Sequence, residues 1–187
     1  MLIGYQLAMN LKNPPSKIMI FGKPGSGKST FALSLQDFLK IPLYHLDKIF
    51  FTSHWVERDY QEFLKIQESL VNKERWILDG NSIRSLETRY SRADWVIYFN
   101  YPTRLCYYRI FKRLLDKNPA IDDRAEGCCE TVRLSLLSYV WSFEKRVSPQ
   151  ILSLKQRYPQ TPFIEIKNNK DLEQLKKQWG MNQDSTP

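Results

Sequence analysis

The run Gly22-Lys-Pro-Gly-Ser-Gly27-Lys28-Ser29 constrains this chain more than any other feature. It has the spacing GxxxxGK[ST], it follows the apolar strand signal Lys17-Ile-Met-Ile-Phe21, and a helical pattern comes after it. That pattern, over 29–40, places Phe31, Leu35, Phe38 and Leu39 at helical spacing, with Pro42 beyond its end. Strand, glycine-rich turn and helix in this order make a cradle for phosphate oxygens. Gly22, Gly25 and Gly27 let the backbone close on an anion without side-chain collision, while amides of the turn and of the helix start face it. Lys28 is placed to neutralise β and γ phosphates, and the Ser29 hydroxyl to ligate Mg²⁺, with Thr30 the next donor along the helix. Lys23, Pro24 and Ser26 complete the nucleotide-contacting set. A merely glycine-rich turn is the alternative, and the flanking strand and helix weigh against it.

The rest of the chain repeats the alternation. Leu43-Tyr-His-Leu46 reads as a second strand running into Asp47, followed by a polar and aromatic loop over 48–57. A helix follows over about 59–71, where Asp59 and Glu62 have capping-box spacing. Trp76-Ile-Leu78 gives a third strand ending at Asp79-Gly80-Asn81, and Trp95-Val-Ile-Tyr-Phe99 a fourth ending before Pro102. Both are short and wholly apolar, as strands buried on two faces are. A basic helix over 105–115 and another over 131–147, with Val132, Leu136, Val140, Phe143 and Val147 on one face, precede a fifth strand, Phe163-Ile-Glu-Ile166, and a closing helix over 171–179. Strands alternating with helices require right-handed crossovers and a parallel sheet covered on both faces. The expectation is a three-layer α/β fold with a five-stranded parallel sheet and a basic helical lid over about 104–147. Residues 17–180 form its one domain, 1–16 an N-terminal extension and 181–187 a frayed tail.

Composition limits what such a chain does. Its 187 residues fit one domain with a core that needs no staples. Cys106, Cys128 and Cys129 lack CxxC spacing and stand beside only two histidines in the chain, which argues against a zinc site and against a disulfide framework. The apolar stretch over 1–9 is interrupted by Gln6 and lacks a cleavage pattern, and no apolar run is long enough to span a bilayer. A reducing cytoplasm is the expected compartment, with no membrane partner. The net charge of +8 favours anionic partners, and residues 101–158 hold eleven basic against six acidic side chains.

Taken in order, Gly22 to Thr30, Pro42-Leu-Tyr-His-Leu-Asp47, Trp76-Ile-Leu-Asp-Gly-Asn81, Arg89 with Ala93-Asp94, and Arg124 to Glu130 resemble the adenylate-kinase-like group of P-loop small-molecule kinases. Within that group they are similar to the topology modulation proteins of the FlaR type. The likeness runs over about residues 17–175. It implies a P-loop kinase fold, ATP with Mg²⁺ as cofactors, and a small-molecule or nucleotide-like phosphate acceptor. It implies that Asp47, past the second strand, contacts Mg²⁺ water or the acceptor hydroxyl, where it is a candidate base; a turn or cap aspartate is the other reading. Asp79 resembles the Leu-Asp-Gly aspartate of adenylate kinases and, with Ser29, would serve the metal. Arg104, Arg109, Lys112, Arg113 and Arg124 fall where such kinases place the basic helix and lid; Arg109, Arg113 and Arg124 are the catalytic candidates beside Lys28 and Asp47, with solvated surface charge as the alternative. Asn81-Ser-Ile-Arg84 stands where adenylate kinases have Pro-Arg, which argues against AMP as acceptor.

Other residues carry less. His45 and His54 stand near aromatic residues and read as core or loop-edge side chains, and Trp55, Tyr60 and Phe63 wall either an acceptor pocket or the core. ATP rather than GTP follows from the resemblance, since Asn168-Asn-Lys-Asp171 only loosely echoes a guanine-reading segment. A nucleotide-dependent DNA topology regulator without kinase activity is the rival, carried by the family name and the basic stretch; no helix-turn-helix, zinc-finger or RNA-binding motif supports it.

Overall fold

The computed structural model describes residues 14–52, 56–115 and 134–181. His54, Trp55, Arg124, Cys128, Cys129 and residues 1–13 of the expected 1–16 N-terminal extension lie outside the described residues.

Five strands form one sheet: β1 (Lys17–Gly22), β2 (Leu43–His45), β3 (Trp76–Asp79), β4 (Trp95–Phe99) and β5 (Phe163–Ile166). All are parallel, in the spatial order β2-β3-β1-β4-β5. Parallel neighbours require crossovers, and the helices supply them: α1 (Lys28–Leu39), α2 (Leu46–Phe50), α3 (Tyr60–Val71), α4 (Leu86–Tyr90) after a 3-10 turn at Ile83–Ser85, α5 (Thr103–Leu115), α6 (Leu134–Arg157) and α7 (Asn169–Gln178).

Alternation along β1 divides the core between the two faces of the sheet. Ile18 and Ile20 pack with Phe31 and Leu35 of α1, Cys106 and Ile110 of α5, Leu175 of α7 and Trp179. Met19 and Phe21 pack with Phe63 and Leu70 of α3, Leu86 of α4, and Phe143, Val147 and Ile151 of α6. The three layers expected from the alternating pattern are present. Asp94, just ahead of β4, accepts the amides of Ser16 and Lys17 at 2.8 and 2.9 Å, which sets the start of β1 against β4.

Three elements differ from the sequence reading. Residues 46–50 form a short helix where the end of the second strand at Leu46 and the start of a loop at Lys48 were expected, and residues 83–90 form the 3-10 turn and α4; both are too short to show a helical period. Helix α6 continues to Arg157 through Pro149, ten residues past the expected end. Proline removes one amide from the ladder, yet Ile151 and Leu154 stay in phase with Val147 and are buried, so packing holds the helix across it. Among the described residues no helix is long and apolar enough to cross a membrane.

Candidate active site

The site assembles at the carboxyl ends of β1, β2 and β3, the edge where open α/β sheets bind ligands. Gly22 ends β1 at φ 152°, and a Cβ there would lie 2.3 Å from the Phe99 carbonyl oxygen, so only glycine passes. At Gly25 the same atom would lie 2.5 Å from the Cys106 carbonyl oxygen. The loop is held from three sides. Lys23 N–H donates to the Phe99 carbonyl at 3.2 Å, Ser26 N–H to the Lys23 carbonyl at 3.1 Å, and Gly22 N–H to Asn81 Oδ1 at 2.9 Å. Gly27 caps α1 in a left-handed conformation without a side-chain hydrogen bond, an arrangement that an anion completes.

Lys28 and Ser29 are buried at the first turn of α1, while Thr30 beside them is exposed. Lys28 Nζ stands 3.8 Å from Asp79 Oδ1 at the end of β3, and 3.4 Å from Ser29 Oγ. Asp79 is 2% exposed, and its Oδ2 accepts His45 Nδ1 at 2.9 Å, whereas Oδ1 has no hydrogen bond. Burial is the largest influence on this carboxyl and pushes it up; the Lys28 charge, the His45 bond and charge, and the nearby Ser29 hydroxyl together hold it below its ordinary value. It is therefore ionised at neutral pH, can only accept, and leaves the proton on His45 Nδ1.

Asp47, exposed in the first turn of α2, comes two residues after His45, the end of β2 that pairs with Asp79 at the end of β3. Its charge bears on the buried Arg89 guanidinium and on Tyr139 of α6, so the three share one neighbourhood. Arg89 is fully buried and donates to the carbonyls of Gly80 and Ser82 at 2.9 and 2.7 Å. Burial pulls its pKa down to about 10, against the opposing pull of Asp79, so it stays charged at neutral pH.

On the other side of the loop, Arg109 of α5 donates to the Ser26 carbonyl at 2.9 Å and to Asn169 Oδ1 at 3.0 Å, with its guanidinium 4.8 Å from the centre of the Tyr101 ring. It joins the glycine-rich loop to the start of α7, where Asn169 follows the cap residue Asn168. Arg113 stands one turn further along α5, half-buried, and Arg104 and Lys112 are exposed on the same helix. Lys23 is 3% exposed, and its ammonium points into the protein, donating to Glu144 of α6 at 2.8 Å and to the Tyr101 carbonyl at 3.1 Å. Pro24 is half-buried and Ser26 buried in the loop itself. Phe63 is core, packed edge-on against Phe50, and Tyr60 carries Arg84 at 4.2 Å over its ring.

Thus Lys28, Ser29 and Asp79 converge, Asp47 stands nearby, and Arg109 closes the far side. Sequence reasoning missed Asn81 as the partner of Gly22, Asn169 as that of Arg109, and His45 as that of Asp79. The last pair had a signal, since both residues end strands, and neighbouring parallel strands end at the same level. Among the described residues no three His, Cys, Asp or Glu side chains form a metal cage. A buried carboxylate with one oxygen lacking a hydrogen bond, beside a hydroxyl and a glycine cradle, fits Mg²⁺ arriving with nucleotide phosphates, which needs only one or two protein ligands.

The chain superposes on the shikimate kinase of Bacteroides thetaiotaomicron with a TM-score of 0.52 at 14% identity, covering 87% of this chain and 97% of that one. The fold is that of the P-loop kinases. Lower scores relate it to the shikimate kinase of Acinetobacter baumannii in complex with shikimate (TM-score 0.46, 15% identity, 86% of this chain and 91% of that one). The deoxyadenosine kinase of M. mycoides with bound dCTP gives 0.47 at 15% identity, covering 89% and 100%. At such identities the likeness to P-loop kinases is one of architecture. No family model and no curated protein matches the chain.

Proposed function

We propose that this P-loop protein is an ATP-dependent phosphotransferase that moves the γ-phosphate of ATP to a small-molecule or nucleotide-like acceptor in the cytoplasm. The observation that carries the reading is the convergence of Lys28, Ser29 and Asp79 on the uncapped start of α1, with a second carboxylate, Asp47, at the same sheet edge. A carboxylate at this edge is available to take the proton of an acceptor hydroxyl, a role that nucleotide binding alone does not call for.

In this reading the loop over 22–30 holds the phosphates through its backbone amides and the Lys28 ammonium. Ser29 and Asp79 hold Mg²⁺, which when bound neutralises charge on the phosphoryl oxygens. Asp47 accepts the proton of the acceptor hydroxyl as its oxygen attacks phosphorus. Arg109 and Arg113 face the charge that spreads over the transferred group, and Arg124 is assigned the same role from its place in the sequence alone. Arg109 already holds the Ser26 carbonyl, which keeps its guanidinium beside the loop. The order of the segments around Asp47, Asp79 and Asp94 is the ground for grouping the protein with the FlaR-type topology modulation proteins.

Single-turnover transfer from γ-labelled ATP with Mg²⁺ to a pool of nucleosides, nucleotides and hydroxy metabolites tests the reading, run beside Lys28→Ala. A labelled acceptor that is absent with the variant supports it and names the acceptor class. ATP binding that depends on Lys28 with no acceptor ever labelled overturns the transferase reading and makes salt-dependent DNA binding the next measurement.

A further inference from the structure

In the register of β2 on β3, His45 is the Cα partner of Asp79. Parallel strands lie about 4.8 Å apart and paired residues present their side chains on one face, so two strand-terminal polar residues meet directly. The imidazole is 9% exposed and the carboxylate 2%, leaving little water to satisfy either group in place of the other. A buried carboxylate oxygen is costly to leave without a donor, so the His45 bond, made to Oδ2, decides which way the carboxylate faces. With Oδ2 held at 2.9 Å by His45, Oδ1 is left 3.8 Å from Lys28 Nζ, on the side of the phosphate loop.

We infer that His45 is a positioning residue for the metal–nucleotide site: its Nδ1–H holds Oδ2 of Asp79 so that Oδ1 stays turned toward Lys28 and Ser29, where Mg²⁺ enters with the phosphates. This rests on the nucleotide reading above and adds to it a residue that touches neither nucleotide nor acceptor. Removing the imidazole donor leaves Asp79 in place but with its orientation unset, so the loss falls on metal-dependent binding. A His45 that merely fills space would instead weaken binding with and without metal alike.

The test is the affinity of a fluorescent ATP analogue, measured with excess Mg²⁺ and again with EDTA, for the wild type, His45→Phe, His45→Asn and Lys28→Ala. His45→Phe keeps a planar ring without the donor and is expected to weaken the Mg²⁺ complex by about 10-fold or more, the effect typical of losing a group that orients a metal ligand. Its EDTA affinity is expected to equal that of the wild type. His45→Asn, whose amide reaches the place of Nδ1, is expected to restore most of the loss. An equal loss in both buffers, or no loss in Mg²⁺, overturns the inference. If His45→Phe does not fold, His45→Leu carries the same comparison. Lys28→Ala separates the two readings: wild-type affinity there removes the nucleotide site and this inference with it. Lost affinity there beside an unchanged His45→Phe removes the inference alone.

Discussion

Asn81 Oδ1 accepts the amide N–H of Gly22 at 2.9 Å, tying the exit of β3 to the entrance of the phosphate loop. Asn81→Ala leaves that partly buried amide without a partner and is expected to lower stability by about 1–2 kcal/mol. Asn81→Asp keeps an acceptor oxygen and adds a negative charge beside the loop proposed to hold the phosphates. Urea unfolding should place Asn81→Asp near the wild type, while titration with ATP shows affinity reduced by about 10-fold or more. Equal stability of all three proteins would show that the bond carries no load.

Arg89 is a buried cation that reaches backbone rather than solvent. Its two bonds to the Gly80 and Ser82 carbonyls hold the segment that carries Asn81, and its charge faces Asp79. Arg89→Met fits the volume but deprives both carbonyls of a charged donor. A loss of about 2–4 kcal/mol is expected, reduced from the sum of two bonds because a buried charge is removed at the same time. Arg89→Lys, a single-point donor, should recover only part of it in the same unfolding experiment.

Gly22 and Gly27 separate steric from conformational demand. An alanine Cβ at Gly22 would meet the Phe99 carbonyl oxygen at 2.3 Å, whereas at Gly27 the nearest atom is Arg109 Nη1 at 3.6 Å, with φ at 89°. Gly22→Ala is expected to cost about 3 kcal/mol or more, because backbone must move. Gly27→Ala carries only the left-handed backbone strain of about 1–2 kcal/mol. Thermal melts without ligand should rank them in that order.

Glu144 supplies a pH dependence of known sign. Its hydrogen bond to Lys23 is the largest influence and holds its pKa below the ordinary value, against a smaller upward push from burial. A carboxyl with a lowered folded pKa contributes stability that is complete above its unfolded pKa, about 4.3, and is lost as pH falls through the folded value. Glu144 is 54% exposed, so screening limits the contribution to about 1 kcal/mol. The difference in melting temperature between the wild type and Glu144→Gln should therefore be present at pH 7 and vanish near pH 3. A constant difference across that range would assign the effect to packing.

The phosphate loop was legible because its information is contiguous: glycines, lysine and serine lie within nine residues, between a strand and a helix that are themselves local patterns. The strands were legible because burial on both faces demands continuous apolar runs, and Asp47 and Asp79 because each follows one. Helix α2 and the turn into α4 were not, since five residues show no period. The course of α6 past Pro149 was not, since Ile151 and Leu154 reveal their role only against Phe143 and Val147 in the packed layer.

What the sequence by itself determined is the alternation of strand and helix and the glycine-rich turn that joins β1 to α1. The tertiary structure alone decided the partners that hold that loop: His45 with Asp79, Gly22 with Asn81, Arg109 with Ser26 and Lys23 with Glu144, which lie 34, 59, 83 and 121 residues apart. Such pairs depend on the order β2-β3-β1-β4-β5 and on strand register. Both are set by how whole faces of helices and sheet bury one another, a property of the assembled layers that no local stretch encodes.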